Sequence, residues 1–310
     1  MPAESLTFHP LYMERIWGGR KLQTYFDRAL PGTDRIGESW ELVDRADVQS
    51  IVSEGRFGGI SLHEIWTNFR LEIFGAGYDS ERFPVLIKIL DASETLSLQV
   101  HPGMPGTVSE LAESKTEFWY FVSTDEEAGV YVGLKNGVPR ADFEAALTSG
   151  KVLDLLHRIP TKPDSYIFIP GGRLHAIGAG NVMFEIQQNS DTTYRVFDWN
   201  RVGTDGEPRK LHIEESLKCI NFDDFEPALD KSDTETLVTC DWFHIERWFL
   251  NESRQANLEP KFAVFQVVAG TVSFGTRFFR SGDLFLVPAG SHQAEITPQG
   301  GAATVLRTTI

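Results

Sequence analysis

The chain is expected to be mainly β, folded as two jelly-roll-like units with helical insertions in the first. Three observations carry that expectation. Short runs rich in β-branched and aromatic residues recur between Gly and Pro turns, as in Tyr166–Pro170, Val182–Gln187 and Tyr194–Trp199. From residue 241 onward the pattern is all strand, with His244–Leu250, Phe262–Val268, Val272–Phe274, Asp283–Pro288 and Thr304–Thr308 in succession. A weak internal repeat links the two parts. Tyr166-Ile-Phe-Ile-Pro-Gly-Gly-Arg-Leu-His175 resembles Asp283-Leu-Phe-Leu-Val-Pro-Ala-Gly-Ser-His292, and Glu117-Phe-Trp-Tyr-Phe-Val resembles Phe262-Ala-Val-Phe-Gln-Val. An acidic, polar stretch over 223–240 reads as the linker, which divides the chain into 1–225 and 226–310.

The remaining elements follow in order. Residues 5–60 are strand-like and broken by Gly. Over 61–74 the pattern turns helical: Ser61 and Glu64 stand at capping-box spacing, and Leu62, Ile65, Trp66 and Phe69 recur at helical period. Val85–Leu90 and Thr95–His101 read as strands, 106–114 as a short helix, and Glu117–Ser123 as an aromatic strand. Residues 140–158 read as one or two helices with Phe143, Leu147, Val152, Leu155 and Leu156 as the apolar stripe, and 212–220 as another.

Composition limits the partners. The 310 residues carry 29 basic and 44 acidic side chains, a formal charge of -15, which argues against nucleic acid or an anionic membrane as partner. An anionic substrate then needs locally placed Arg or Lys. Residues 1–19 lack the apolar core of a signal peptide, and the most apolar run, Pro84–Leu90, is far too short to span a bilayer. Two cysteines, Cys219 and Cys240, fit a reducing cytoplasm better than a disulfide scaffold.

The chemistry centres on Glu94-Thr-Leu-Ser-Leu-Gln-Val-His-Pro-Gly103. Strand alternation puts Ser97, Gln99 and His101 on one face and Leu96, Leu98 and Val100 on the other. A polar face is either an exposed sheet surface or the inside of a pocket. Glu117 opens the aromatic strand with Lys115 on its face; alone, the pair reads more readily as a surface ion pair. His175 follows a Pro-Gly-Gly turn and alone is as readily a loop residue. Together Gln99, His101, Glu117 and His175 make four O/N ligands of the kind zinc takes in catalytic sites, with one carboxylate leaving net positive charge. The second unit lacks an acidic or His residue where the first has Glu117, so only the first is expected to bind metal. The stretch 184–201 adds Glu185, Asp191, Arg195 and Arg201, groups that move protons and hold anions, or else a solvated charged hairpin.

At these motifs the sequence resembles the type I mannose-6-phosphate isomerases (phosphomannose isomerases) in their short bacterial form. The matching segments are Trp17-Gly-Gly19, Gly37-Glu-Ser-Trp-Glu41, Leu98-Gln-Val-His-Pro102, Lys115-Thr-Glu-Phe-Trp-Tyr120, Ile169-Pro-Gly-Gly-Arg-Leu-His-Ala176 and Glu185-Ile-Gln-Gln-Asn-Ser-Asp-Thr-Thr-Tyr-Arg195. Ser114 stands where many short members have Gly, and the long helical domain of larger members is missing. The resemblance implies a pair of cupin jelly rolls and one zinc per chain on Gln99, His101, Glu117 and His175. It implies interconversion of mannose 6-phosphate and fructose 6-phosphate, with active-site roles for Arg195 and Lys115 and with Glu185 and Asp191 lining the pocket. The expected mechanism is proton transfer through an enediolate whose charge zinc, Lys115 and Arg195 stabilise, Glu185 or Asp191 being the base. Arg15, Arg20, Lys21, Lys115, Arg173 and Arg201 are the cations available to a phosphate. Two other readings compete, a metal-dependent cupin oxygenase and a non-catalytic sugar-phosphate-binding cupin.

Overall fold

In the computed structural model, which describes residues 4–104, 106, 108–109, 112–203, 206–257, 260–291 and 294–310, twenty strands form four antiparallel-rich sheets. The first eleven are β1 (Leu11–Gly19), β2 (Ile36–Leu42), β3 (Val85–Ala92), β4 (Leu98–Val100), β5 (Glu117–Thr124), β6 (Gly129–Leu134), β7 (Leu156–Pro160), β8 (Tyr166–Ile169), β9 (His175–Ile177), β10 (Asn181–Gln188) and β11 (Tyr194–Phe197). They make a six-stranded sheet, β1-β2-β3-β10-β5-β8, and a five-stranded sheet, β11-β4-β9-β6-β7.

The two faces of that five-stranded sheet bury different things. Val130, Val132 and Ile177 join Trp119, Phe121, Ile167, Ile169 and Met183 of the six-stranded sheet in a core between the sheets. Leu98, Val100, Ala176 and Val196 point the other way and pack with Phe143 and Ile220. Phe143 lies on a helix, Arg140–Ser149, and Ile220 caps another, Ile213–Cys219. These are the helical insertions: they cover a sheet face whose residues would otherwise leave apolar surface in water.

The remaining strands are β12 (Thr236–Thr239), β13 (His244–Leu250), β14 (Arg254–Gln255), β15 (Ala263–Ala269), β16 (Thr271–Phe274), β17 (Arg277–Arg280), β18 (Leu284–Val287), β19 (Glu295–Pro298) and β20 (Ala303–Thr309). They form sheets β12-β13-β20-β15-β18 and β14-β19-β16-β17 around a second core of Trp248, Phe265, Phe274, Phe279 and Phe285. The internal repeat marks corresponding pairs: β5 pairs with β8 in the first roll, and β15 with β18 in the second.

By packing, the chain divides into a unit of residues 12–39 and 89–230 and a unit of residues 1–11, 40–88 and 231–310. The expected division at 225/226 lies near the change at Asp230, but 1–11 and 40–88 group with the C-terminal roll. Packing explains it. Leu6 exchanges backbone hydrogen bonds with Leu286 at 2.8 Å, and Phe262 stacks edge-on to Phe74, with ring centroids 5.1 Å apart. Contacts so distant in sequence leave no local signal.

Several local expectations need correcting. The helix expected over 61–74 begins with the Ser61/Glu64 capping box but divides at Phe69 into Leu62–Asn68 and Arg70–Ile73. Residues 156–158 are strand, because the chain leaves Arg140–Ser149 through Gly150, in left-handed conformation, and a short 3-10 turn. The strand expected over 95–101 is regular only at 98–100, and Leu96 packs in the core between the sheets. The helix expected over 106–114 falls partly on 107, 110 and 111, outside the described residues; the described ones there are not helical. His292 also lies outside them. Among the described residues no helix is long and apolar enough to cross a membrane.

Candidate metal centre

The polar face of β4 turns toward the space between the two sheets of the first roll. β11, β4 and β9 set Arg195, Gln99 and His175 directly across from one another, in one row on the inner face of the five-stranded sheet. On the facing sheet, Glu117 of β5 stands between Ile169 of β8 and Gln187 of β10, and Glu185 lies opposite Trp119. His101 follows β4 directly.

Two turns bring the histidines in. A Cβ on Gly171 would lie 2.4 Å from the Gly103 Cα, so the turn before His175 touches the turn after His101 backbone to backbone. Gly172 holds a φ of 91°, a conformation only glycine adopts without strain, and its N–H donates to the His101 carbonyl. Arg173 is clamped to Asp224 through two contacts of 2.8 and 3.0 Å and also donates to the Phe168 carbonyl.

The two imidazoles share one arrangement. His101 Nδ1 donates to the Thr192 carbonyl and His175 Nδ1 to the Arg173 carbonyl, each at 2.9 Å. A carbonyl only accepts, so each Nδ1 carries the proton and each Nε2 turns a lone pair inward. Nε2 of both rings and a Glu117 carboxylate oxygen lie within 4.8 Å of one another, all three residues being buried. His101 Nε2 is 3.2 Å from Glu117 Oε1, and His175 Nε2 is 3.9 Å from Oε2. The Trp119 indole N–H donates to Oε2 at 3.1 Å. Lys115, itself buried, places Nζ 2.7 Å from Oε1 and 3.4 Å from His101 Nε2. Among the described residues neither Oε1, held by the Lys115 ion pair, nor His175 Nε2 has a hydrogen-bond donor.

Burial disfavours the charged form of both imidazoles. It pushes His175 down to about 3, with His101 adding to the effect, and lowers His101 as well, with Lys115 adding. Burial alone would raise Glu117; the Lys115 ammonium beside it opposes burial, and the carboxyl is held well below its usual range. The result is two neutral imidazoles and a carboxylate aiming lone pairs at one point. Bare acceptors 3.2 Å apart repel unless a cation lies among them. Donors around a four-coordinate zinc are separated by about 3.3 Å. Lys115 balances the single carboxylate charge but leaves His175 Nε2 without a partner among the described residues, and the donor set fits a divalent metal.

The sequence-based residues fall into two groups. His101, Glu117, His175 and Lys115 meet in the cluster; Gln99 and Arg195 stand in line with His175 by strand register, and Glu185 lies buried on the inner face of β10. Asp191 does not join it: it is exposed on the turn after β10. Among the cations, Arg15 pairs with Glu38, Lys21 with Asp125, Arg173 with Asp224, and Arg20 is spent on backbone carbonyls. Arg201 shares Asp198 with Arg209, which the sequence did not single out. Trp119, Gln188 and Thr192 were also missed; strand alternation from Glu117 points to Trp119, and the register of β10 against β5 sets Gln187, which shares a face with Glu185, opposite Glu117.

Fold and site define a class: a two-roll β protein with a buried two-histidine, one-carboxylate centre inside one roll. The model of the phosphomannose isomerase type I catalytic domain matches residues 6–121. The mannose-6-phosphate isomerase ManA of Bacillus subtilis (strain 168) is 34% identical over 303 residues, covering 94% of this chain and 95% of that protein. The mannose-6-phosphate isomerase of Streptococcus mutans is 33% identical over 297 residues, covering 92% and 93%. A crystal structure of the mannose 6-phosphate isomerase from Bacillus subtilis superposes with a TM-score of 0.87 at 29% identity over 99% of both chains. A mannose 6-phosphate isomerase bound with zinc and yttrium shares the fold, with a TM-score of 0.75, 16% identity and 99% of both chains covered. The chain belongs to the type I mannose-6-phosphate isomerase family.

Proposed function

We propose that the chain interconverts mannose 6-phosphate and fructose 6-phosphate at the His101–Glu117–His175 centre, with one zinc per chain held by these residues and Gln99. The observation that carries this reading is the pair of inward, unprotonated Nε2 atoms beside a buried carboxylate. When bound, zinc supplies a Lewis acid that polarises a carbonyl or hydroxyl oxygen.

The chain's own groups do the rest. Lys115, buried beside Glu117, offers a fixed positive charge to an enediolate oxyanion of the sugar. Arg195 stands in the same row as Gln99 and His175 and offers a second. Glu185, buried on the inner face, is the base we favour for the proton moved between C2 and C1; Asp191, at the exposed turn, is the second candidate. For the phosphate we favour Arg195 with Arg201 and Arg209. Arg201 and Arg209 both pair with Asp198, near enough to Arg195 to act on its charge, and burial together with Arg209 lowers Arg195 below its usual range. A dianion there meets a local excess of positive charge despite the acidity of the whole chain. We place the metal chemistry in the first roll, read the roll of 231–310 as structural, and place the protein in the cytoplasm, in keeping with its two unpaired cysteines.

A coupled assay on mannose 6-phosphate tests the reading. Metal-stripped protein should be inactive, regain turnover with zinc, and fail to regain it as His101→Ala, with a loss of at least roughly 10³-fold. No turnover from fully metallated protein would sink it. Solvent deuterium should enter the product; its absence would replace proton transfer with a hydride shift.

A further inference from the structure

Two consecutive glutamines at the end of β10 hold the parts of the centre together. Gln188 continues the β5–β10 ladder past the end of β5 with its own side chain. Its backbone N–H donates to the Thr116 carbonyl at 3.1 Å, its Oε1 accepts from the Thr116 N–H at 2.8 Å, and its Nε2 donates to Ser114 Oγ at 2.9 Å. Lys115 is thereby fixed on both sides, and its own N–H donates to the Pro102 carbonyl at 3.1 Å, next to His101.

Gln187 faces the other way, opposite Glu117, and is fully buried. Both its Nε2 hydrogens go to backbone carbonyls, of Gln188 at 2.9 Å and Ser190 at 2.6 Å, closing the turn. Ser190 Oγ accepts from the Thr192 N–H, and the Thr192 carbonyl accepts the His101 Nδ1 proton. Thr192 Oγ1 also accepts from the Glu113 N–H. Gln187 Oε1 is buried with no hydrogen-bond donor among the described residues. A buried amide left half unsatisfied is costlier than a leucine of similar volume, so the cost is offset only by what Nε2 holds in place.

We propose that the Gln187 and Gln188 amides are positioning residues that latch the Ser114–Glu117 arm and the His101 imidazole onto one turn, so that metal affinity depends on their hydrogen bonds. The inference rests on the metal-centre reading above. Partners of this kind, one step removed from the metal, typically change affinity by about 10–100-fold.

Chelator competition gives the zinc dissociation constant of the full-length protein and of Gln188→Met, Gln187→Met and Ser114→Ala. The absorption spectrum of cobalt-loaded protein and thermal unfolding of the metal-free forms complete the comparison. Both Gln→Met variants should weaken zinc by about 10–100-fold and alter the cobalt spectrum. Ser114→Ala removes one acceptor only and should weaken zinc by about 2–10-fold. Variants that melt earlier but keep the unaltered zinc constant and cobalt spectrum would overturn the latch, since packing alone would account for them. If the Gln→Met variants do not fold, Ser114→Ala decides by the same criterion. An unaltered chain that binds no zinc overturns the metal centre and the latch together. Tight zinc binding by that chain and equally tight binding by the variants overturns the latch alone.

Discussion

The two jelly rolls solve the same packing problem with opposite chemistry. In the first, β5 begins with Glu117 opposite Ile169, just before Pro170. In the second, β15 begins with Ala263 opposite Val287, just before Pro288. From there the interiors diverge. The first buries Glu117, Lys115, two histidines, Glu185 and Gln187 beside its apolar core. The second fills its interior with aromatic rings: Phe285 stacks on Phe279 at 4.0 Å and on Phe265 at 5.4 Å, with Trp248 edge-on to Phe265. It still buries a few polar side chains, Gln266 and Thr308 among them, and a cleft of 340 Å³ is lined in part by Glu246, Arg254 and Arg307, those arginines pairing with Glu235 and Glu246. A roll stuffed with phenylalanine is held by burial alone. A roll with buried charge is held only while each charge keeps its partner, and that strain is what makes it a reactive interior.

Three measurements press on this contrast. The largest effect is expected from Lys115→Met. It removes the buried ammonium beside Glu117 while keeping the metal donors, so turnover should fall by about 10²–10⁴-fold with zinc retained. Loss of zinc from that variant would make Lys115 part of the metal cradle instead. In the second roll, Phe285→Ala should cost about 3–5 kcal/mol through the cavity it opens, read as an earlier thermal transition, with zinc affinity unchanged. A weakened zinc site would mean that the aromatic interior is not merely structural. The smallest effect concerns Asp198. Burial alone would raise its carboxyl, but Arg209 and Arg201 outweigh burial and hold it below the usual range. Its contribution is therefore complete above the ordinary carboxylate pKa of about 3.9 and lost as pH falls through the lower folded value. Asp198→Asn should be less stable than the unaltered chain at neutral pH, with the deficit closing as the pH falls through the folded value of Asp198. An unchanged acid profile would show that the three arginines do not depend on this carboxylate.

Much of the site was legible without coordinates because its parts lie in short motifs. Gln-Val-His, Lys-Thr-Glu and Pro-Gly-Gly-Arg-Leu-His each carry their chemistry on strand ends or tight turns, where period-2 alternation and Gly conformation speak locally. The second roll's lack of a Glu117 equivalent was readable for the same reason. The placement of Asp191 was not legible, because alternation ends with β10: past Gln188 the chain turns, and Asp191 is exposed.

By itself, then, the sequence determined the strand periods, the two-roll plan, the histidines and carboxylate of the buried cluster, and the family. The tertiary structure alone decided which side chains share a point in space. Register put Gln187 against Glu117, and backbone contact between Gly103 and Gly171 joined the two histidine turns. It also grouped residues 1–11 and 40–88 with the C-terminal roll and gathered Arg201 and Arg209 on Asp198. The physical reason is the same in each case. Periodicity and turn chemistry are properties of neighbouring residues, whereas pairing register and charge clustering arise from contacts between segments distant in the chain, which leave no trace in local pattern.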